Sequence, residues 1–157
     1  MKIELKWDKP IRLKDGSKQY QIYAISIPRL DRIPNKPGVY VFALSFGQSI
    51  TPLYVGQASK LRNRIKGHLK SSVRLMVGIK RAHAGRRILL LGRLKPRRGQ
   101  QKAKVLRAVE RALIRHAVDR GYELLNKQGK KRDEYVIKSR GNISSKQVAP
   151  RMLAEPK

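Results

Sequence analysis

Alternating apolar and polar residues near the start of the chain predict strands, because successive side chains of a strand point to opposite faces. Residues 2–7 alternate in this way. A hairpin pattern follows over 11–27, with its turn at Asp15-Gly16. Several prolines then interrupt the pattern. Residues 1–36 are therefore predicted to be an N-terminal β-hairpin extension.

A second pair of strands is predicted in the middle of the chain. Residues 39–44 are a continuous apolar segment, and Leu53, Tyr54 and Val55 form a shorter one. The loop between them, 45–52, contains the glycine and proline that hairpin loops favour. The period of two places Leu53 and Val55 on one face of the returning strand and Tyr54 on the other.

Residues 59–71 have helical periodicity, with Ser59 as the predicted N-cap. Its apolar stripe has a spacing of four and consists of Leu61, Ile65 and Leu69. Arg64 and His68 are also four residues apart, so they are expected on one neighbouring stripe of the helix.

The second half of the chain predicts a strand, a helix and a basic arm. Residues 86–94 have the aliphatic character of a strand that is buried on both faces. Residues 102–120 form a strong amphipathic helix, and Gly121 follows as its stop signal. Residues 128–157 are predicted to be a basic C-terminal arm. The order of hairpin, helix, strand and helix predicts an α+β fold on a small, mainly antiparallel sheet.

The charge of the chain narrows the class of partner. Lys and Arg total 38 and Asp and Glu total 10, which gives a net charge of +28. Such self-repulsion is normally tolerated when the partner is a polyanion. Nucleic acid is the expected partner, because each phosphate contact releases condensed counterions. DNA, duplex or branched, is preferred, and RNA remains the alternative.

Other classes fit the sequence less well. The longest aliphatic run, Ile88 to Leu91, is much shorter than a membrane span, so no membrane partner is expected. The chain has no cysteine, which excludes disulfides and cysteine-type zinc sites. Charged residues interrupt the first residues, where a signal peptide would be apolar. We therefore expect a cytoplasmic or nucleoid-associated protein that is not secreted.

Glu110 is unusual in its position. No carboxylate lies between Asp31 and Glu110, and Glu110 has arginines at 107, 111 and 115 around it. A glutamate on a helix is most often half of a weak surface salt bridge. Its isolation in a basic region makes a metal ligand the second interpretation.

Five segments in order resemble the motifs of one enzyme family. Gly38-Val39-Tyr40 and Tyr54-Val55-Gly56 resemble the two half-motifs that name the GIY-YIG nucleases. The helix at 59–69 is similar to the arginine helix of that family, the segment 109–114 to its glutamate helix, and 124–126 to its asparagine segment. The resemblance covers 37–127, which defines the predicted nuclease core, and both central isoleucines of the motif are valines here.

The resemblance implies a three-stranded sheet flanked by helices, with a hydrolytic site on one face. Tyr40 and Tyr54 would line that site, and Arg64 would contact the scissile phosphate. Glu110 would bind one divalent ion, Mg²⁺ or Mn²⁺. Gly38, Gly56 and Asn126 would have structural roles that order the site.

The general base stays open between a tyrosine and a histidine. A tyrosine has a reference pKa near ~10, but a nearby cation and metal favour its ionised form. Tyr54 is the preferred base and His68 is the alternative. Basic side chains of the arginine helix, of the loop after residue 95 and of the arm are predicted to contact the phosphate backbone of the nucleic acid. They are Lys60, Arg62, Lys66, Arg97, Arg98, Lys130, Lys131 and Arg132.

These observations predict an endonuclease that hydrolyses phosphodiester bonds in DNA through a single-metal Tyr/Arg/Glu site. The alternative is a basic nucleic-acid-binding protein without catalysis, either a degenerate nuclease or an architectural protein.

Overall fold

The computed structural model describes residues 1–15, 25–82, 85–126 and 135–155. The strands in these residues are β1 Lys2–Trp7, β2 Ile11–Arg12, β3 Lys14–Asp15, β4 Ile25–Ser26, β5 Gly38–Phe46, β6 Ser49–Ala58, β7 Arg86–Lys95, β8 Tyr135–Gly141 and β9 Met152–Glu155. The α-helices are α1 Leu61–Ser71, α2 Val73–Arg81 and α3 Lys102–Asp119, and short 3₁₀ helices span Leu30–Arg32 and Ile143–Gln147. None of the described helices is both long and apolar enough to cross a membrane.

The main sheet is larger than predicted. In the described part of the chain it has seven strands, in the order β6-β5-β7-β1-β8-β9, with β2 also paired to β7. β1 is antiparallel to β7 and parallel to β8, so the sheet is mixed. The fold is α+β, but the prediction of a small three-stranded antiparallel sheet is wrong, because β1, β8 and β9 also belong to the main sheet. Within the predicted N-terminal hairpin, β3 and β4 form a separate antiparallel two-stranded sheet. Alternation predicts β1 as a strand but does not identify its neighbours. β8 lies in the segment predicted as a basic arm, so it was not predicted as a strand.

Helices cover both faces of the sheet. On one face, side chains such as Val41, Val55 and Leu90 belong to the same core as α3 residues Val109 and Leu113. On the other face, the sheet residues Tyr40, Phe42, Leu89 and Leu91 pack with the apolar residues of α1 and α2. Neighbouring residues of β5 and β7 alternate between these two cores, which confirms that β7 is buried on both faces.

A bulge in β6 changes the direction of one side chain. Phe42 pairs with Tyr54, but the next residue of β5, Ala43, pairs with Pro52, so Leu53 is the extra residue. As a result Leu53 and Tyr54 both pack toward the α1 and α2 side, whereas Val55 lies in the core on the α3 side. The expectation that Leu53 and Val55 share a face is therefore wrong, because a bulge breaks the period of two.

Two helix predictions also need correction. α1 begins at Leu61, and its N-cap is Lys60, which makes no side-chain capping bond within the described residues, so Ser59 is not the cap. α2 was not predicted, although Leu75, Met76 and Ile79 form the apolar spacing of a short helix.

Candidate active site

Tyr40 lies on β5, next to the edge strand β6, and its ring lies over Gly56. The two residues are paired between β5 and β6. Tyr40 is 1% exposed, and a Cβ atom at position 56 would collide with its ring and hydroxyl. Glycine at 56 therefore gives the Tyr40 phenol its place on the sheet surface.

Tyr54 stacks beside Tyr40. The ring centroids are 6.2 Å apart and the ring planes differ by 21°. Tyr54 is half-buried, whereas Tyr40 is fully buried. The two tyrosines of the half-motifs thus occupy one side of the sheet, and Tyr54 is the one that solvent reaches.

His68 bonds the Tyr40 hydroxyl from the helix above. Its Nε2 lies 2.5 Å from Tyr40 Oη, and its Nδ1 lies 2.8 Å from Ser72 Oγ. Burial lowers the pKa of His68 to about 4, and the positive charge of Arg64 acts in the same direction. The imidazole is therefore neutral at pH 7. In that form Nε2 can accept the Tyr40 proton while Nδ1 donates to Ser72.

Arg64 lies one helical turn before His68 and is exposed. A hydrogen-bonding interaction with Tyr40 raises the pKa of Arg64, and the nearby Tyr54 and Glu110 add to the effect. Burial raises the pKa of Tyr40, and the interaction with Arg64 opposes that increase. The guanidinium of Arg64 therefore interacts electrostatically with both tyrosines and with Glu110.

Glu110, on α3, interacts electrostatically with Arg64 and Tyr40. This helix packs along β6, one of the two edge strands of the main sheet in the described residues. Glu110 is half-buried, and burial raises the pKa of its carboxyl, while Arg111 and Arg64 oppose this increase. The carboxylate therefore lies in a partly desolvated environment close to a guanidinium.

Glu110 is a single carboxylate donor for a metal ion. Among the described residues no group of three or more His, Cys, Asp or Glu could hold a metal. Zinc needs three or four protein ligands, so the site does not fit zinc. Mg²⁺ and Mn²⁺ commonly take one or two carboxylates and complete their shell with water and phosphate oxygens, which one glutamate can satisfy.

Asn126 fixes the edge of β6 next to Tyr54. Its Nδ2 donates to the carbonyl of Val55 at 2.7 Å, and its Oδ1 accepts from the Val55 amide at 3.4 Å. The Leu125 amide donates to the Leu53 carbonyl at 2.7 Å. The segment therefore pairs with the backbone on both sides of Tyr54.

Gly38 allows close packing at the other end of the motif. A Cβ there would lie 2.5 Å from the Gly92 carbonyl oxygen and 2.7 Å from Leu61 Cδ1. Gly38 therefore lets the start of α1 approach the sheet.

The predicted phosphate contacts divide into two groups. Arg62 Nε donates to the Ile33 carbonyl at 2.8 Å, and Arg97 pairs with Glu4 at 3.3 Å, so both guanidiniums have contacts within the protein. The second group is open to solvent: Lys60 and Arg98 are exposed, and Lys66 is partly exposed. Lys130, Lys131 and Arg132 lie outside the described residues.

Sequence reasoning did not identify Ser72 as part of the site. Its spacing of four from His68, at the end of the same helix, is the signal that points to it.

Comparison of the chain with protein-family models, curated proteins and solved structures gave no significant match. The chemistry of the site therefore has to follow from its own residues.

Proposed function

We propose that this protein is a divalent-metal-dependent endonuclease that hydrolyses phosphodiester bonds in DNA. The observation that supports this most strongly is that four elements contribute to one cluster. β5 and β6 provide the tyrosines, α1 provides Arg64 and His68, and α3 provides Glu110. These are the residue types that phosphate binding, proton transfer and metal binding require, and they match the GIY-YIG resemblance.

Arg64 is the proposed phosphate ligand. Its charge is permanent, and its planar fork suits two phosphate oxygens. It is exposed, so a strand can reach it, yet it also interacts with Tyr40 and Glu110. In that position it stabilises the negative charge that develops on the phosphate during hydrolysis.

Tyr40 and His68 are the proposed proton acceptors. A neutral His68 can take the phenolic proton, so that Tyr40 can take a proton from the attacking water. Burial raises the pKa of Tyr40 and favours the neutral phenol, so its ionisation depends on the opposing interaction with Arg64. Tyr54, the preferred base of the sequence analysis, is assigned here to positioning water and substrate beside Tyr40, because the hydrogen bond to His68 is made by Tyr40.

Glu110 is the proposed ligand of the single metal ion. When bound, Mg²⁺ or Mn²⁺ would supply Lewis acidity toward the phosphate and favour deprotonated neighbours. Because burial raises the pKa of Glu110, binding of a cation is also the condition that best keeps this carboxylate ionised.

Replacing Glu110 with glutamine tests the proposal. Glu110→Gln should abolish plasmid nicking in Mg²⁺ and Mn²⁺ while binding to DNA stays equal or becomes slightly tighter, since a negative charge is lost. Asp119→Asn, at an exposed position of the same helix, is the matched control and should nick at the wild-type rate. Nicking by Glu110→Gln at a rate near wild type would contradict the metal-ligand assignment.

The net charge also supports nucleic-acid binding without catalysis. Binding to duplex DNA should weaken steeply with salt, with a log–log slope of several units, because many Lys and Arg must meet phosphates. A steep slope together with no metal-dependent cleavage would favour the non-catalytic alternative, and a slope near zero would contradict a polyanion partner.

A further inference from the structure

Part of the main sheet is uncovered on the side that carries Tyr40. Every second residue of β1 is buried in the core under α3. Because side chains alternate along a strand, Lys2, Glu4 and Lys6 point to the opposite side, where Tyr40 packs with α1 and α2. Lys2 and Lys6 are exposed, so in the described part of the chain no helix covers β1 on this side.

The strands beside β1 present basic side chains on the same side. On β8, Lys138 and Arg140 are exposed, and the residues between and before them are buried. On β7, Arg93 is partly exposed and Lys95 is exposed. Paired residues of neighbouring strands share a face, so these side chains lie together with those of β1. The resulting open basic face consists of Lys2, Lys6, Arg93, Lys95, Lys138 and Arg140.

Strand register places three cations in one row of the open basic face. Lys6 lies opposite Arg93 of β7 and opposite Arg140 of β8. Glu4 and Asp8 hold the two arginines in salt bridges, but Lys6 between them forms no ion pair within the described residues. Like charges directly opposite each other destabilise a sheet. The row therefore costs the fold some stability, and an anionic partner would offset that cost.

The row leads toward the proposed active site. Arg93 is also paired with Gly38 of β5, and Tyr40 follows two residues later on the same strand. From β5 to β8 there are three strand spacings, which is roughly 14 Å. Duplex DNA rises about 3.4 Å per base pair, so about five base pairs span this distance. A duplex held beside Tyr40 can therefore also lie on the open basic face.

We propose that the open basic face binds the phosphate backbone of the DNA that the active site cleaves. This proposal rests on the proposed nuclease function. Lysine acts as a point charge with rotatable donors, so Lys6 and Lys138 can contact phosphates without reading the base sequence. An acidic peptide could meet the same cations. DNA is favoured because the face continues the side of the sheet on which the substrate of the Tyr40 cluster would be bound.

Lys6→Gln combined with Lys138→Gln tests the contact by removing two charges from exposed positions. Binding of the full-length protein to a duplex of about 20 base pairs, measured without divalent metal, should weaken by about tenfold or more, and the log–log salt slope should fall by about 2. Lys102→Gln combined with Lys104→Gln is the matched control at exposed positions of α3, which covers the opposite face. The control should stay within about twofold of wild type. Equal losses in the two double variants would overturn the proposal.

Lys6→Glu separates loss of binding from loss of folding. A glutamate at position 6 would lie opposite Arg93 and Arg140, so the variant should unfold at an equal or higher urea concentration than wild type. Its affinity for the duplex should nevertheless fall further than that of Lys6→Gln. A lower unfolding midpoint would contradict the repulsive row, and an unchanged affinity would overturn the DNA contact.

A cleavage assay in Mg²⁺ separates this proposal from the proposed function. The protein concentration that gives half-maximal cleavage should rise about tenfold in the Lys6 and Lys138 double variant. The same concentration in both double variants would overturn the open basic face and leave the nuclease standing. Loss of duplex binding in the Lys6 and Lys138 double variant, with no cleavage by the wild type, would support the face and contradict the nuclease. Loss of binding to poly-Glu alone would indicate an acidic protein partner and overturn the proposal.

Discussion

The Tyr40 hydroxyl lies 2.5 Å from Nε2 of His68, and the other ring nitrogen of His68 is bonded to Ser72. A buried phenol thus has a neutral imidazole as its partner, and the imidazole is oriented by a third group. In general base catalysis this arrangement allows a proton to move away from the reacting centre. It shifts the proposed base from Tyr54 to Tyr40.

Tyr40→Phe and Tyr54→Phe compare the two tyrosines, since each keeps the ring and removes only the hydroxyl. Tyr40→Phe should lower the single-turnover cleavage rate by about 100-fold or more, because it removes the proton acceptor. Tyr54→Phe should lose less. Circular dichroism and thermal unfolding check that both variants fold. A larger loss in Tyr54→Phe would return the role of base to Tyr54.

Arg64→Ala should lower the cleavage rate by about two orders of magnitude or more, since removing one transition-state charge contact costs about 3–4 kcal/mol. Arg74→Ala, exposed on α2, is the control for the loss of one positive charge. Single-turnover rates at saturating protein separate this effect from weaker binding. A rate within about threefold of wild type would mean that Arg64 is one more surface cation.

The pKa of His68 predicts how stability depends on pH. Its pKa is about 4 in the folded protein, below the unfolded reference of about 6.5, so the unfolded chain binds the proton more readily between these values. The contribution of neutral His68 to the free energy of unfolding is fully present above pH ~6.5. It is lost as the pH falls toward 4, and the loss in unfolding free energy reaches about 3 kcal/mol. Urea unfolding between pH 4 and 7 measures it.

His68→Gln is the comparison for this experiment, because glutamine keeps hydrogen-bonding atoms and does not titrate. Its unfolding free energy should change less with pH over the same range than that of the wild type. The pKa of His116 is also lowered by burial, and His116 is present in both proteins, so the difference between the two slopes reports His68. Equal slopes would show that His68 is not the residue that titrates.

Gly56→Ala should destabilise the protein by about 1–3 kcal/mol, because the added methyl group collides with the Tyr40 ring and hydroxyl. Gly67→Ala is the matched control within α1, where a Cβ meets no atom within 4 Å. It should be neutral or stabilise the helix by up to about 1 kcal/mol. Denaturant unfolding measures both variants, and equal effects would contradict the packing of Tyr40 over Gly56.

Periodicity predicted the individual elements of this fold better than their arrangement. β7 and α3 were predicted almost to their ends, because long apolar segments and a continuous helical stripe are strong local signals. The position of β1 between β7 and β8 was not predicted, because pairing depends on which strand lies beside which in space. The bulge at Leu53 is also invisible to a pattern that assumes a constant period of two.

For the site, the motif resemblance selected Tyr40 and Tyr54, which stack in the structure, and Arg64 and Glu110, which interact with them electrostatically. The bond between Tyr40 and His68 could not be predicted, because it depends on how α1 packs over the sheet. Arg62 and Arg97 illustrate the same difficulty, since an arginine that contacts its own protein has the same sequence signal as one that contacts phosphate.

Because β1 lies between β7 and β8 in the sheet, it cannot pair with both neighbours until β8 has been synthesised. β8, the parallel partner of Lys2–Trp7, follows it roughly 130 residues later, which at ~5–20 residues per second takes on the order of ten seconds. Ile3, Leu5 and Trp7, buried in the finished sheet, have no β8 to pair with during that interval. Truncation before β8 should yield an aggregating product rather than a smaller folded domain, because β1 then keeps β7 as a partner but presents an unpaired edge where β8 would lie.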